Sequence, residues 1–99
     1  MTKSFKVEIP KETLENIYSK VKNYKWHEMP DDGGWDYGTN LDYMKEFSKF
    51  WIEKYDWKKT EEKINKFNNF KSNIDGIDIH FIYEKGSGSN PKPLLLNHG

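Results

Sequence analysis

Ninety-nine residues allow one small domain, and a chain of that length buries only about 60 to 65% of its unfolded surface. Its 16 basic residues are all lysine and are cancelled by 16 acids, so the basic surplus that a nucleic-acid binder needs for counterion release is missing. No cysteine is present to form a disulfide or act as a thiolate, yet 16% aromatic content with four tryptophans is too rich for a disordered chain despite 32% charged residues.

Met1 to Lys6 has no apolar stretch like the centre of a signal peptide, and no apolar run is long enough to span a membrane, which predicts a soluble, cytoplasmic protein. Phe5 to Ile9 alternates apolar and polar residues before Pro10, whose fixed φ suits the first turn of a helix. Leu14, Ile17, Tyr18 and Val21 then fall on one face, with Lys20, Lys22 and Lys25 towards the end where the dipole favours cations, and a helix is predicted over 11–23. Residues 26–38 carry Pro30, Gly33, Gly34 and Gly38 among acids and aromatics and read as an irregular loop. Its Trp26, Trp35 and Tyr37 are not expected to be solvent-exposed without reason.

Thr39 to Asp42 fits a capping box, which starts a second helix. Tyr43, Met44, Phe47, Phe50, Trp51 and Tyr55 give that helix an aromatic stripe wide enough to require a large partner surface. Asp56 is placed to cap a third helix over 57–66, carrying Trp57, Ile64 and Phe67. The period then changes to two. Phe70, Ser72 and Ile74 alternate with polar residues, Asp75-Gly76 follows, and Ile77, Ile79, Phe81 and Tyr83 alternate again, which is a strong hairpin signal. Beyond the Gly86 to Pro93 loop, Leu94-Leu95-Leu96 has the unalternating character of a strand buried on both faces of a parallel sheet.

Chemistry-bearing residues are sparse. His27, His80 and His98 have no ligand partner at short spacing, which argues against zinc; His80 reads as a polar-face strand residue and His27 as a loop residue. Asp31-Asp32 and Glu61-Glu62 read as solvated charges, since neighbouring acids point apart. Gly86-x-Gly88 lacks the Gly-Lys-Ser/Thr of a phosphate loop and reads as a linker. Lys58, Lys59, Lys63 and Lys66 form a solvated ridge diluted by acids. Trp35, Tyr37, Phe47, Trp51, Tyr55 and Trp57 are expected to be packing residues rather than a ligand cage.

Taken together, Phe5-Lys6-Val7-Glu8-Ile9-Pro10, Gly34-Trp35-Asp36-Tyr37-Gly38, Leu41-Asp42-Tyr43, Trp51 with Tyr55-Asp56-Trp57, Asn65-x-Phe67-x-x-Phe70, Ile74-Asp75-Gly76-Ile77, Ile79-His80-Phe81-Ile82 and Pro93 to Gly99 resemble the N-terminal region of an epoxide hydrolase of the α/β-hydrolase superfamily. The resemblance runs over nearly the whole chain. It implies an α+β fragment: residues 1–68 form a helical N-terminal meander that wraps the catalytic and cap domains, and 69–99 begin the hydrolase sheet with a hairpin plus one apolar strand. It further implies that His98 and Gly99 are the start of a His-Gly-x-Pro oxyanion-hole motif.

In a complete family member the resemblance implies a carboxylate nucleophile that opens the epoxide to an alkyl-enzyme ester, two cap tyrosines that protonate the epoxide oxygen, and a His with an acid partner that activates water to release a vicinal diol. These groups follow the His-Gly-x-Pro motif, so no catalytic residue is expected among these 99, and the chain alone is expected to be inactive. No cofactor or metal is implied. The implied partner is the remainder of the catalytic and cap domains, without nucleic acid or a membrane anchor, in an enzyme of the soluble branch suited to detoxifying aromatic hydrocarbon epoxides. Because the third strand of such a sheet does not sit beside the second, Leu94 to Leu96 is expected either to stay unpaired or to dock in the vacant place. The alternative is a free-standing non-catalytic module or relic that binds a hydrolase body in trans.

Overall fold

The computed structural model describes residues 1–30 and 33–99; Asp31 and Asp32, expected to be solvated, lie outside the described residues. Three strands and three helices follow in the order β1 (Thr2–Ser4), α1 (Lys11–Lys22), α2 (Leu41–Glu53), α3 (Trp57–Ile64), β2 (Asn69–Ile74) and β3 (Ile77–Ile82). The chain forms two compact units, Met1–Val7 with Glu61–Gly99, and Glu8–Thr60; the division falls inside α3.

The first unit is an antiparallel sheet in the order β1-β2-β3. The hairpin forms as the alternation predicts, with Ile74 opposite Ile77 and Asn69 opposite Ile82. Asp75 at φ 51° and Gly76 at φ 84° make the two-residue turn whose twist matches the strands. Asn73 brackets it, accepting from the Gly76 N–H at 3.1 Å and donating to Asp78 Oδ1 at 2.9 Å. On the other side, Thr2, Lys3 and Ser4 pair with Ser72, Lys71 and Phe70. That first strand has no apolar alternation of its own, so periodicity does not reveal it.

In the second unit α1 and α2 pack together, with Leu14, Tyr18 and Val21 half-buried at helical spacing. Two caps differ from expectation. Pro10 stands one position before the helix, its carbonyl accepting from the Leu14 N–H at 3.2 Å. Asn40, not Thr39, caps α2, with Oδ1 accepting from the Tyr43 N–H at 2.9 Å; asparagine is the stronger N-cap of the two. Asp56 caps α3 as the sequence predicts, its Oδ1 accepting from the Lys58 N–H at 3.0 Å.

Helix α3 stops at Ile64 rather than at Lys66, because Asn69 Nδ2 donates to the Ile64 and Phe67 carbonyls at 2.9 and 2.8 Å and so satisfies groups the helix end leaves free. Glu61 corrects a further expectation: it is buried, at 8% exposure, while Glu62 stays exposed. With Trp57 and Ile64 it occupies positions i, i+4 and i+7, the inner stripe of α3. Leu94, Leu95 and Leu96 form no strand and are 80, 91 and 83% exposed, the unpaired outcome among the two expected. Among the described residues, no apolar side chain is fully buried and no helix is long and apolar enough to cross a membrane.

Replacing Gly76 with Ala isolates the backbone requirement of the turn, because a Cβ there meets nothing within 4 Å and the whole cost is the positive φ. The substitution is expected to destabilise the hairpin by about 1 kcal/mol. Amide exchange along β2 and β3 reads it, and exchange unchanged from the parent chain would contradict the turn assignment.

Candidate docking surface

The exposed face of α2 is built by helix geometry. Residues four apart on a helix are about 6 Å apart along its axis, so aromatic rings at 43, 47 and 51 must form a row. The centroids of Tyr43 and Phe47 are 6.3 Å apart and those of Phe47 and Trp51 6.5 Å apart. The loop adds a fourth ring, since Trp35 lies 5.4 Å from Tyr43. Trp35 remains 59% exposed and Phe47 47%, with Tyr43 and Phe50 similarly open. Each of these four rings, Trp35, Tyr43, Phe47 and Phe50, leaves on the order of 100 Å² uncovered, a patch of about 400 Å² around the row, and patches of that size on soluble proteins mark binding surfaces.

Trp51 joins this row to a second feature. Its other side lines an apolar cleft of about 320 Å³ with Ile9, Leu14, Ile17, Tyr18, Tyr55 and Trp57. The rim is held by polar bonds: Tyr18 Oη donates to the Tyr55 carbonyl at 3.2 Å, and Tyr55 Oη shares a proton with Thr60 Oγ1 at 2.8 Å. Tyr37 stands apart from both. It is exposed and lines a separate recess with Trp26, His27 and Met44, while its ring lies so close to Gly33 that a Cβ there would come within 2.8 Å.

Of the sequence-selected residues, the structure thus brings together Trp35, Phe47 and Trp51 in the row and Trp51, Tyr55 and Trp57 in the cleft. His98 and Gly99 are exposed, and His98 Nδ1 lies 3.1 Å from the Gly99 carbonyl oxygen. Among the described residues no group of three or more His, Asp or Glu side chains is placed to hold a metal.

Sequence reasoning missed a polar cluster in the first unit. Asn69 is 4% exposed, and with both amide protons given to carbonyls its Oδ1 faces His80 Nε2 at 2.9 Å, which requires the imidazole proton on Nε2. The His80 ring meets Phe5 edge-on at 5.1 Å, and Lys71 Nζ sits 4.1 Å from the centre of the Phe5 ring. Asn65 pairs with Val7 through both its amide groups. The available signal was two asparagines four apart at a helix-to-strand junction, where side chains must satisfy the helix end.

Residues 2–99 match the family described as epoxide hydrolase N terminus. The chain belongs to that family. Epoxide hydrolase 1 of Sus scrofa is 36% identical over 99 residues, covering 96% of this chain and 22% of that protein. A putative epoxide hydrolase of Stigmatella aurantiaca is 30% identical with the same coverages, and juvenile hormone epoxide hydrolase 1 of Ctenocephalides felis is 34% identical. Among solved structures, the epoxide hydrolase of Aspergillus niger superposes with a TM-score of 0.71 at 26% identity, over 83% of this chain and 22% of that one. Juvenile hormone epoxide hydrolase from Bombyx mori gives a TM-score of 0.75 at 26% identity, over 83% and 20%. The chain spans about a fifth of the length of the curated relatives it matches. The helices and antiparallel strands are therefore those of the N-terminal part of an epoxide hydrolase, the α+β arrangement the sequence implies.

Trp51 is the shared member of row and cleft. Its replacement by Ala is expected to cost the helical unit roughly 2 kcal/mol, about half the penalty of deleting a fully buried tryptophan, because the side chain is half-buried. Equilibrium denaturation followed by circular dichroism measures this. A loss under about 0.5 kcal/mol, the level of an ordinary surface substitution, would show that the row carries no packing energy.

Proposed function

We propose that this chain is the N-terminal segment of an epoxide hydrolase that adds water to an epoxide to give a vicinal diol, and that its part in that enzyme is to pack against the catalytic and cap domains. The observation that carries this reading is the family match over residues 2–99 combined with coverage of about a fifth of each relative. In this reading residues 1–68 are the meander and 69–99 the start of the catalytic domain, with Trp35, Tyr37, Phe47, Trp51, Tyr55 and Trp57 as its packing residues.

The physical support is the row on α2. About 400 Å² of exposed aromatic surface is worth roughly 10 kcal/mol when covered, more than the whole stability of many small domains, so a covering body is the economical explanation. Leu94 to Leu96 points the same way, as an apolar run with no strand beside it. His98 and Gly99 then lead into the loop whose backbone N–H groups stabilise the oxyanion, and the nucleophile, base and proton donors belong to the hydrolase body. No cofactor is assigned to the reaction. The substrate is an epoxide; four relatives are named juvenile hormone epoxide hydrolase and others carry no finer substrate in their names, which keeps the substrate class at epoxides in general. Absence of cysteine fits a reducing, cytoplasmic setting.

Two preparations test the reading. The purified 99-residue chain is expected to form no diol from a styrene-oxide-type substrate above background, and saturable, heat-sensitive turnover would overturn the assignment of the chemistry to the hydrolase body. A chimera in which residues 2–99 replace the matching segment of epoxide hydrolase 1 from Sus scrofa is expected to hydrolyse epoxide. In that chimera Trp51→Ala should cost about 3 to 5 kcal/mol, the penalty of full burial. A folded chimera in which the substitution costs no more than in the isolated chain would refute the packing role.

A further inference from the structure

The residues before the helices and those after them belong to one unit, and at Val7 the Asn65 side chain makes the junction. Asn65 Oδ1 accepts from the Val7 N–H at 2.8 Å while its Nδ2 donates to the Val7 carbonyl at 2.7 Å, so the amide pairs with the backbone as another strand would. Asparagine is suited to this because its amide offers donor and acceptor side by side. Towards the sheet, the Phe5 N–H donates to the Asn69 carbonyl at 2.9 Å, and only Thr2, Lys3 and Ser4 continue as ladder.

The two sides of β2 are unequal. The β2–β3 register runs through six residue pairs and is closed by a tight turn, whereas β1 contributes three pairs and is exposed throughout. Opening free energies within a protein differ by segment, and a short exposed edge strand with few apolar contacts belongs to the low end. We propose that Met1–Val7 is a detachable strap, latched on the sheet by the Asn65 amide and able to leave β2 while the hairpin stays closed. Asn65 is then a positioning residue: it sets where the strap lies, and Asn69 and His80 supply the seat for Phe5.

Residue-resolved amide exchange on the full 99-residue chain tests this with two variants. Asn65→Ala removes donor and acceptor, and exchange at Lys3, Phe5 and Val7 is expected to rise about tenfold or more while the amides bonded between β2 and β3 change by less than about twofold. Asn65→Asp keeps an oxygen for the Val7 N–H and loses only the donor, so Val7 is expected to exchange more slowly than in Asn65→Ala. Unchanged exchange at Val7 in Asn65→Ala would overturn the latch. Should that variant unfold outright, Asn65→Asp decides: equal acceleration of strap and hairpin would show general loosening and overturn independent release, and acceleration confined to the strap would establish it.

Discussion

The return of the chain to its own N-terminal residues depends on an amide that behaves as backbone. Val7 and Asn65 are 58 positions apart, and closing a chain segment of that length costs about 3 to 4 kcal/mol of entropy beyond a length-independent constant. Two part-buried hydrogen bonds to the same residue, each worth about 1 kcal/mol net, recover a good part of it, and the short β1–β2 ladder contributes the rest. The consequence is topological. The chain leaves the sheet unit at Val7 and re-enters it at Glu61, so the helices of residues 8–60 are an excursion from a sheet whose strands come from both sides of them in sequence.

A different balance governs the helical unit. Its caps are sound, with Asn40 and Asp56 each accepting from a free N–H, and its spacing is regular, yet no described apolar side chain is fully buried. The aromatic row gives contact among its own rings but leaves Trp35, Tyr43, Phe47 and the neighbouring Phe50 about half exposed. Half-covered rings supply about half their burial energy against a full entropic cost for ordering them. This balance leaves the helical unit with an open aromatic face, in a chain that belongs to the epoxide hydrolase N-terminal family.

Several elements were legible because their signals are local. Asp75-Gly76 between alternating runs predicts the turn that forms, since only residues tolerant of positive φ fit it. The apolar spacing of Leu14, Tyr18 and Val21 predicts the first helix to within a residue, and that of Tyr43, Phe47 and Trp51 predicts the second and its aromatic face, with its start within two residues of the expected one. The capping residue of α2 was one position off because Thr39 and Asn40 are both competent caps, and which one serves depends on the backbone path of the preceding loop. Glu61 was misjudged because a charge is assumed to be solvated unless its helix face is known.

By itself, then, the sequence determined the three helices, the hairpin and its register, the aromatic character of α2 and the family, all of which follow from spacing, turn chemistry or motif order along the chain, while the apolar strand it suggested at Leu94 to Leu96 does not form. Only the tertiary structure decided that Thr2–Ser4 is a strand, that Asn65 and Asn69 hold it, and that Trp51 belongs to both the row and the cleft. The physical reason is the same in each case. An edge strand needs no pattern of its own when a partner supplies its hydrogen bonds, and an asparagine is informative only when the carbonyl or N–H it meets, dozens of residues away, is known.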